Sequence, residues 1–254
     1  MPFVDISSHR IEYEKIGVRR SGRPALVFLH EGLGSIAMWR DFPERVARET
    51  RCEAIVYSRY GYGNSGPLTG PRNARYMHDE ALVALPVLLD RLEVERPILI
   101  GHSDGGSIAL IHAGAGARAV SAVVTLAAHV LVEEVSVASI AAAKTAFETT
   151  DLRARLARYH ADVDSAFWGW NRIWLAPEFR DWNIEEYLPR VRCPVLAIQG
   201  VDDEYGTMEQ MRRIEAGVAD VTLLPLQRCR HSPHRDQPDA VLGAIAGFVD
   251  RIVG

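Results

Sequence analysis

The stretch "PILIGHSDGGSIAL", residues 97–110, joins a continuous apolar run to a run of small, helix-compatible residues, with Ser103 at the junction. Gly101-His102-Ser103-Asp104-Gly105 matches the pattern G-x-S-x-G, whose mechanics need a strand before the serine and a helix after it. "RPILI" and "GGSIALIHA" supply both. A sharp turn there strains the serine backbone, and flanking glycines let strand and helix approach without Cβ clashes. The helix N-terminus then offers free N–H groups to developing negative charge. A Gly-rich turn with a solvated serine is the plain alternative; the strand and helix on either side favour a nucleophile.

Outward from this junction the same unit repeats. "ALVFLH", "EAIVYS", "AVVTLAA" and "PVLAIQG" are apolar runs of buried-strand length, and "RIEYEKIGV" alternates like an early strand. Between them, "MHDEALVALPVLLDRL" sets Leu82, Leu85, Leu89 and Leu92 at helical spacing. The alternation predicts an α/β fold with a mostly parallel central sheet flanked by helices. Residues 131–189 break the rhythm, being helical throughout and carrying four of the five tryptophans. Asp151 and Asp162 stand at N-cap positions, and Val163, Phe167, Trp170 and Trp174 share one helix face. An inserted helical cap over 131–189 is expected, on a core formed by 1–130 and 190–254.

Composition narrows the partners. With 254 residues, 48% hydrophobic and 24% charged, the chain suits one sizeable core, and a net charge of −4 gives no basic footprint for nucleic acid or an anionic membrane. A small-molecule substrate is expected, with no nucleic-acid or membrane partner. The opening "MPFVDISSHRIEYEK" carries charges and lacks the apolar core of a signal peptide. Cys52, Cys193 and Cys229 are odd in number and never in C-x-x-C spacing, which favours a reducing cytoplasm over a disulfide framework or a zinc site.

A serine hydroxyl needs a base, itself oriented by a carboxylate. After "PVLAIQG", the turn "VDDEYGT" crowds Asp202, Asp203 and Glu204 at the C-terminal end of an expected strand, where functional side chains gather in open α/β sheets. "LLPLQRCRHSPHRDQP" then offers His231 and His234 in a loop. Singly, each is an ordinary turn aspartate or surface histidine; together the order serine, acid, histidine is that of the α/β-hydrolase triad. His231 and His234 are spaced poorly for a metal pair in a proline-containing loop, and neither metal nor cofactor is expected.

The sequence resembles cap-bearing α/β-hydrolase-fold serine hydrolases, a family of esterases, enol-lactonases, carbon–carbon bond hydrolases and cofactor-free haloperoxidases, over nearly its whole length. "VFLHEGLGS" resembles the H-G-x-x-G-S stretch after the third strand, "SRYGYGNSG" the D-x-x-G-x-G-x-S loop, and "IGHSDGGSIAL" the nucleophile elbow. "IQGVDDEYG" resembles the acid turn and "RHSPHRDQPDAV" the G-H-x-P stretch. The resemblance implies Ser103 as nucleophile, Asp203 as acid and His231 as base. It also implies an oxyanion hole from the Gly32 and Asp104 N–H groups, with Leu33 a lesser candidate. Three positions depart from the pattern: Glu31 and Arg230 replace glycines, and Ser58 replaces an aspartate.

The implied reaction is acyl transfer to water through an acyl-enzyme, on an ester or lactone of a small, largely apolar substrate. Trp168, Trp170 and Trp174 are candidates to line the pocket, with His129 at the end of "AVVTLAAHV" and Glu31 as polar contacts. Tryptophans also glue helices together, and a buried, hydrogen-bonded role is the plainer reading for His129. Arg153, Arg155, Arg158 and Arg172 are available to bind a carboxylate, although helix arginines commonly face solvent. Cleavage of carbon–carbon bonds in dienol diketones and ligand reception without catalysis are the alternatives on the same fold.

Overall fold

The computed structural model describes residues 1–116 and 118–254. One sheet holds eight strands: β1 (Phe3–Ile6), β2 (His9–Ile16), β3 (Leu26–Leu29), β4 (Ala54–Tyr57), β5 (Ile98–His102), β6 (Ala122–Leu126), β7 (Val195–Gly200) and β8 (Val221–Leu226). Their order is β1-β2-β4-β3-β5-β6-β7-β8, with β2 antiparallel to both neighbours and every later pairing parallel. β1 escapes the sequence reading because it is four residues long and its hairpin turn is Ser7-Ser8, both at positive φ, where Asn-Gly is the legible signal.

The apolar runs are continuous because both faces of the sheet are covered. Leu26, Phe28, Val56, Ile98, Ile100 and Val124 pack on one side with Trp39, Phe42, Val46, Val241, Ile245 and Phe248. Val27, Leu29, Ile55, Leu99 and Val123 pack on the other with Leu85, Leu88, Leu89, Ile108 and Ile111. Burying each such side chain fully is worth about 1.5–3 kcal/mol. The helices are α1 (Phe42–Thr50), α2 (Leu85–Arg91), α3 (Asp104–Ala115), α4 (Glu134–Thr149), α5 (Leu152–Leu156), α6 (Val163–Leu175), α7 (Met208–Gly217) and α8 (Pro238–Val253), of which α1, α2, α3, α7 and α8 pack on the sheet and α4 to α6 belong to the segment between β6 and β7.

The helix expected from "MHDEALVALPVLLDRL" comes in three pieces: Tyr76–Asp79, a π turn over Glu80–Ala84, and α2. Pro86 has no N–H to give the preceding turn. The ring of His112 instead meets the carbonyl of Ala81 at 2.7 Å. Leu85, Leu89 and Leu92 are buried, and Leu82 is half-buried.

Between β6 and β7 no strand joins the sheet, and a single bridge, Leu131 to Asn183, clasps the two ends of the helical segment. Asp162 caps α6 by accepting the Ser165 N–H at 2.9 Å, and Val163, Phe167, Trp170 and Trp174 are all buried. Asp151 makes no cap; it pairs with Arg155 at 3.3 Å instead. The turn Glu185–Arg190, which crosses the end of the expected 131–189 insertion, packs on α3, where Gly114 leaves room for Tyr187. Among the described residues no helix is long and apolar enough to cross a membrane.

Candidate active site

Ser103 stands where β5 turns into α3, at φ 52° and ψ −119°. That conformation costs a non-glycine residue about 1–3 kcal/mol, which the surrounding packing must supply. A Cβ on Gly101 would strike the Gly105 carbonyl, and one on Gly105 the Leu29 carbonyl, so glycine is required at both. The sharp turn is the reason for the G-x-S-x-G spacing.

Three residues from different loops form one row. Ser103 Oγ lies 3.0 Å from His231 Nε2, and His231 Nδ1 lies 2.8 Å from Asp203 Oδ1. A carboxylate at Nδ1 keeps the proton there and leaves Nε2 bare toward the hydroxyl. Asp203 Oδ1 also accepts the N–H groups of Tyr205 at 2.8 Å and Gly206 at 3.3 Å. Burial pushes the Asp203 carboxyl upward, but the His231 hydrogen bond and charge and the Tyr205 N–H outweigh it, and its pKa lies below the ordinary range. Gln199 braces the same turn, donating to the Gly206 and Thr207 carbonyls at 2.9 and 3.0 Å.

The other sequence candidates go elsewhere. Asp202 is exposed, and Glu204 pairs with Arg230 at 3.1 Å while accepting the His231 N–H at 3.2 Å. His234 is buried against the rings of Trp39 and Phe42, at 4.9 and 5.4 Å.

A cavity of about 120 Å³ opens above Ser103. Glu31, Gly32, Leu33, Asp104, His129, Ile140, Trp170, Trp174 and Tyr205 border it. The Gly32 and Asp104 N–H groups donate to no backbone acceptor among the described residues. Trp170 lies directly over Gly32, where a Cβ would run into the indole. Trp168 is a correction: it stays out of this cavity and packs edge-on to Phe147 and Phe167, with Arg172 over its ring. Trp168 and Trp170 are two residues apart, roughly half a turn of α6, so they point in opposite directions. His129 borders the cavity and is also bonded, its Nε2 lying 3.1 Å from the Tyr205 carbonyl, with its pKa lowered by burial and by His231.

The loop carrying Gly32 is held by residues to which the sequence reading gave no role. Arg59 is 1% exposed and donates to the carbonyls of His30 at 3.2 Å and Glu31 at 2.9 Å. His30 accepts the Arg59 N–H at 2.9 Å, and burial followed by the Arg59 charge holds its pKa well below the usual histidine range. His160, from the helical segment, reaches the Leu33 carbonyl and the Gly63 N–H, each at 3.0 Å. On the far side, Asp104 accepts from the Tyr76 hydroxyl at 2.6 Å, and that oxygen accepts from Trp174 Nε1 at 2.9 Å. The types give little warning, since a buried arginine is rare and a buried tyrosine ordinary.

Each departure from the family pattern has a local partner. Ser58 donates to Glu12 Oε1 at 2.5 Å, and Glu12 also takes the Asn64 N–H at 2.9 Å and side-chain amide at 2.8 Å, so β2 supplies the carboxylate the loop lacks. Glu31 turns back over Gly34, where a Cβ would collide with it. Its carboxylate lies 3.3 Å from His102 Nδ1 and 3.8 Å from Arg235 Nη2, so the protein holds it while it also borders the cavity above Ser103. Burial opposes ionisation of Glu31, but His102, Arg235 and His30 prevail and its pKa lies well below the glutamate range. His102 in turn sets Nε2 2.8 Å from the carbonyl of His231. Glu31 therefore ties the Gly32 loop, the Ser103 turn and the His231 loop together.

The model of the alpha/beta hydrolase family matches residues 26–244. The chain belongs to the alpha/beta hydrolase family. Its relatives and structural neighbours carry names for different substrates. A carboxylesterase of the thaumarchaeon Nitrososphaera gargenis superposes with a TM-score of 0.80 at 21% identity, covering 99% of this chain and 98% of that one. The enol-lactonase of Burkholderia xenovorans superposes at 0.75 with 20% identity, covering 98% and 100%. A proline iminopeptidase of Lactobacillus acidophilus is 30% identical over 112 residues, 44% of this chain and only 36% of that protein.

Proposed function

We propose that this chain cleaves a small ester or lactone by nucleophilic catalysis from Ser103. The observation that carries the reading is the row from Ser103 Oγ to His231 Nε2 at 3.0 Å and from His231 Nδ1 to Asp203 at 2.8 Å, beneath a cavity walled by Leu33, Ile140, Trp170 and Trp174. His231 takes the Ser103 proton as Oγ attacks the carbonyl, and Asp203 stabilises the imidazolium that forms. The N–H groups of Gly32 and Asp104 receive the oxyanion. His231 returns the proton to the leaving oxygen, and water, activated by the same ring, releases the acid. The helical segment 131–189 acts as the cap that sets the acyl pocket.

A cavity of about 120 Å³ is small beside the roughly 300–1,000 Å³ of drug-sized sites, which favours short acyl groups. Three buried, unpaired cysteines accord with a cytoplasmic setting. The test is turnover of p-nitrophenyl esters of increasing acyl length, with prolyl p-nitroanilide beside them because of the iminopeptidase relative. Folded Ser103→Ala protein is expected to lose ester turnover, and wild-type rates are expected to peak at short chains. Turnover that survives Ser103→Ala would refute the role of Ser103, and activity on the anilide alone would replace ester cleavage by amide cleavage.

A further inference from the structure

Negative charge surrounds the N–H groups of Gly32 and Asp104. Asp104 supplies one of the two donors, yet the carboxylate of the same residue is buried beside the cavity. Its Oδ2 accepts the Tyr76 hydroxyl at 2.6 Å, and its Oδ1 is buried with no hydrogen-bond partner among the described residues. The Glu31 carboxylate borders the same cavity. An oxyanion forming at these donors is repelled by any such charge left unbalanced, because a water-excluded site screens little. Glu31 has His102 and Arg235 as partners. The cation beside Asp104 is Arg59, whose Nη2 lies 3.8 Å from Oδ2, and both side chains are 1% exposed.

The same guanidinium reaches the other donor. Arg59 Nη2 donates to the Glu31 carbonyl at 2.9 Å, and that carbonyl and the Gly32 N–H are the two ends of one peptide group. His30 adds to the effect. Its Nε2 accepts the Arg59 backbone N–H at 2.9 Å, which leaves the ring proton on Nδ1, and Nδ1 donates to the Glu31 carbonyl at 2.7 Å. A peptide whose oxygen accepts two hydrogen bonds, one of them from a cation, carries a more polarised N–H, since hydrogen bonds in series strengthen one another in a low-dielectric interior. Arg59 thus acts on both segments that supply the donors, and its own bonds go to His30 and Glu31 rather than to Ser103, His231 or Asp203.

We propose, on the reading of Ser103 as nucleophile, that Arg59 is the positioning residue of the oxyanion hole, holding and polarising the Glu31–Gly32 peptide on one side and offsetting the Asp104 carboxylate on the other. Both effects act on charge that appears only as Ser103 Oγ attacks. Arg59 therefore raises kcat and leaves substrate binding largely alone.

Steady-state kinetics of the full chain on the ester it prefers, with folded Arg59→Gln and Arg59→Lys proteins, tests this. Arg59→Gln is expected to lower kcat about 100-fold with KM within about twofold, a loss comparable to that of one oxyanion donor. Arg59→Lys, which keeps the charge without the planar fork, is expected to recover about tenfold of that loss. If Arg59→Gln does not fold, Asp104→Asn is compared with Asp104→Asn carrying Arg59→Gln, which leaves no buried charge of this pair unmatched. The second of these is expected to have a kcat about tenfold lower, because the Glu31 carbonyl has lost its cationic donor. The Gly32 amide proton, followed by NMR without substrate, is expected to move upfield in the proteins lacking Arg59. Wild-type kcat in folded Arg59→Gln, a loss confined to KM, equal kcat in the Lys and Gln variants, or a Gly32 signal that does not move upfield would overturn the proposal. A wild type that turns over no ester fails the reading of Ser103 instead, and the Gly32 signal then decides the role of Arg59 by itself.

Discussion

Replacing Glu31 by glutamine removes one charge and almost no volume. The carboxylate is 16% exposed, 3.3 Å from His102 Nδ1 and 3.8 Å from Arg235 Nη2. At that separation an effective dielectric of about 20 gives roughly 4 kcal/mol of Coulomb attraction to a full charge. Dehydration of both partners cancels much of it, while the variant leaves Arg235 facing a neutral amide in a site shaped for an anion. The expected net loss is about 1–3 kcal/mol near pH 7, or roughly 3–10 °C in Tm for a domain of this size. The pH dependence is diagnostic. Because the folded-state pKa of Glu31 is lowered, its contribution is complete above the unfolded glutamate value and disappears as pH falls through the folded one. Thermal unfolding of wild type and Glu31→Gln, followed by circular dichroism from about pH 7 downward to well below the glutamate range, should show a gap that begins to narrow below the ordinary glutamate value and closes at the acid end. A gap of the same size at every pH, or none near neutrality, would refute the ion-pair argument.

Other outcomes follow from the same geometry. Asp203→Asn should keep the fold and lower kcat by about 10⁴, because an amide at Nδ1 no longer fixes the tautomer; steady-state kinetics on the preferred ester decides this. Trp170→Ala should shift the acyl-length optimum upward by opening the wall over Gly32, whereas Trp168→Ala should leave the optimum in place; an equal shift in both would contradict the assigned faces of α6. Glu12→Gln should cost about 1–3 kcal/mol in urea unfolding by weakening its bonds to Ser58 and Asn64, and a neutral result would mean that β2 does not stand in for the missing loop carboxylate.

Much of the fold and the candidate site was legible in the residues alone. A sheet buried on both faces demands unbroken apolar runs, and a strand-to-helix turn at positive φ demands glycine at fixed offsets, so strands, helices and the Ser103 junction all leave local marks. The order of Ser103, Asp203 and His231 is legible for the same reason, since each ends a strand or opens a loop beside a recognisable turn. Period and type failed where the deciding force was not local. β1 is held by its pairing with β2, and the direction of Trp168 by the packing of α6 on the rest of the molecule.

Partnership across loops was decided by tertiary structure. Glu31, His102 and Arg235 are far apart in sequence, as are Ser58 and Glu12, or Tyr76, Asp104 and Trp174, and each set meets only once the sheet has assembled. A local pattern records the backbone geometry a residue must adopt. It carries no record of which distant charge or hydroxyl will share its low-dielectric surroundings, where that neighbour determines whether a buried polar group is stable and what it does.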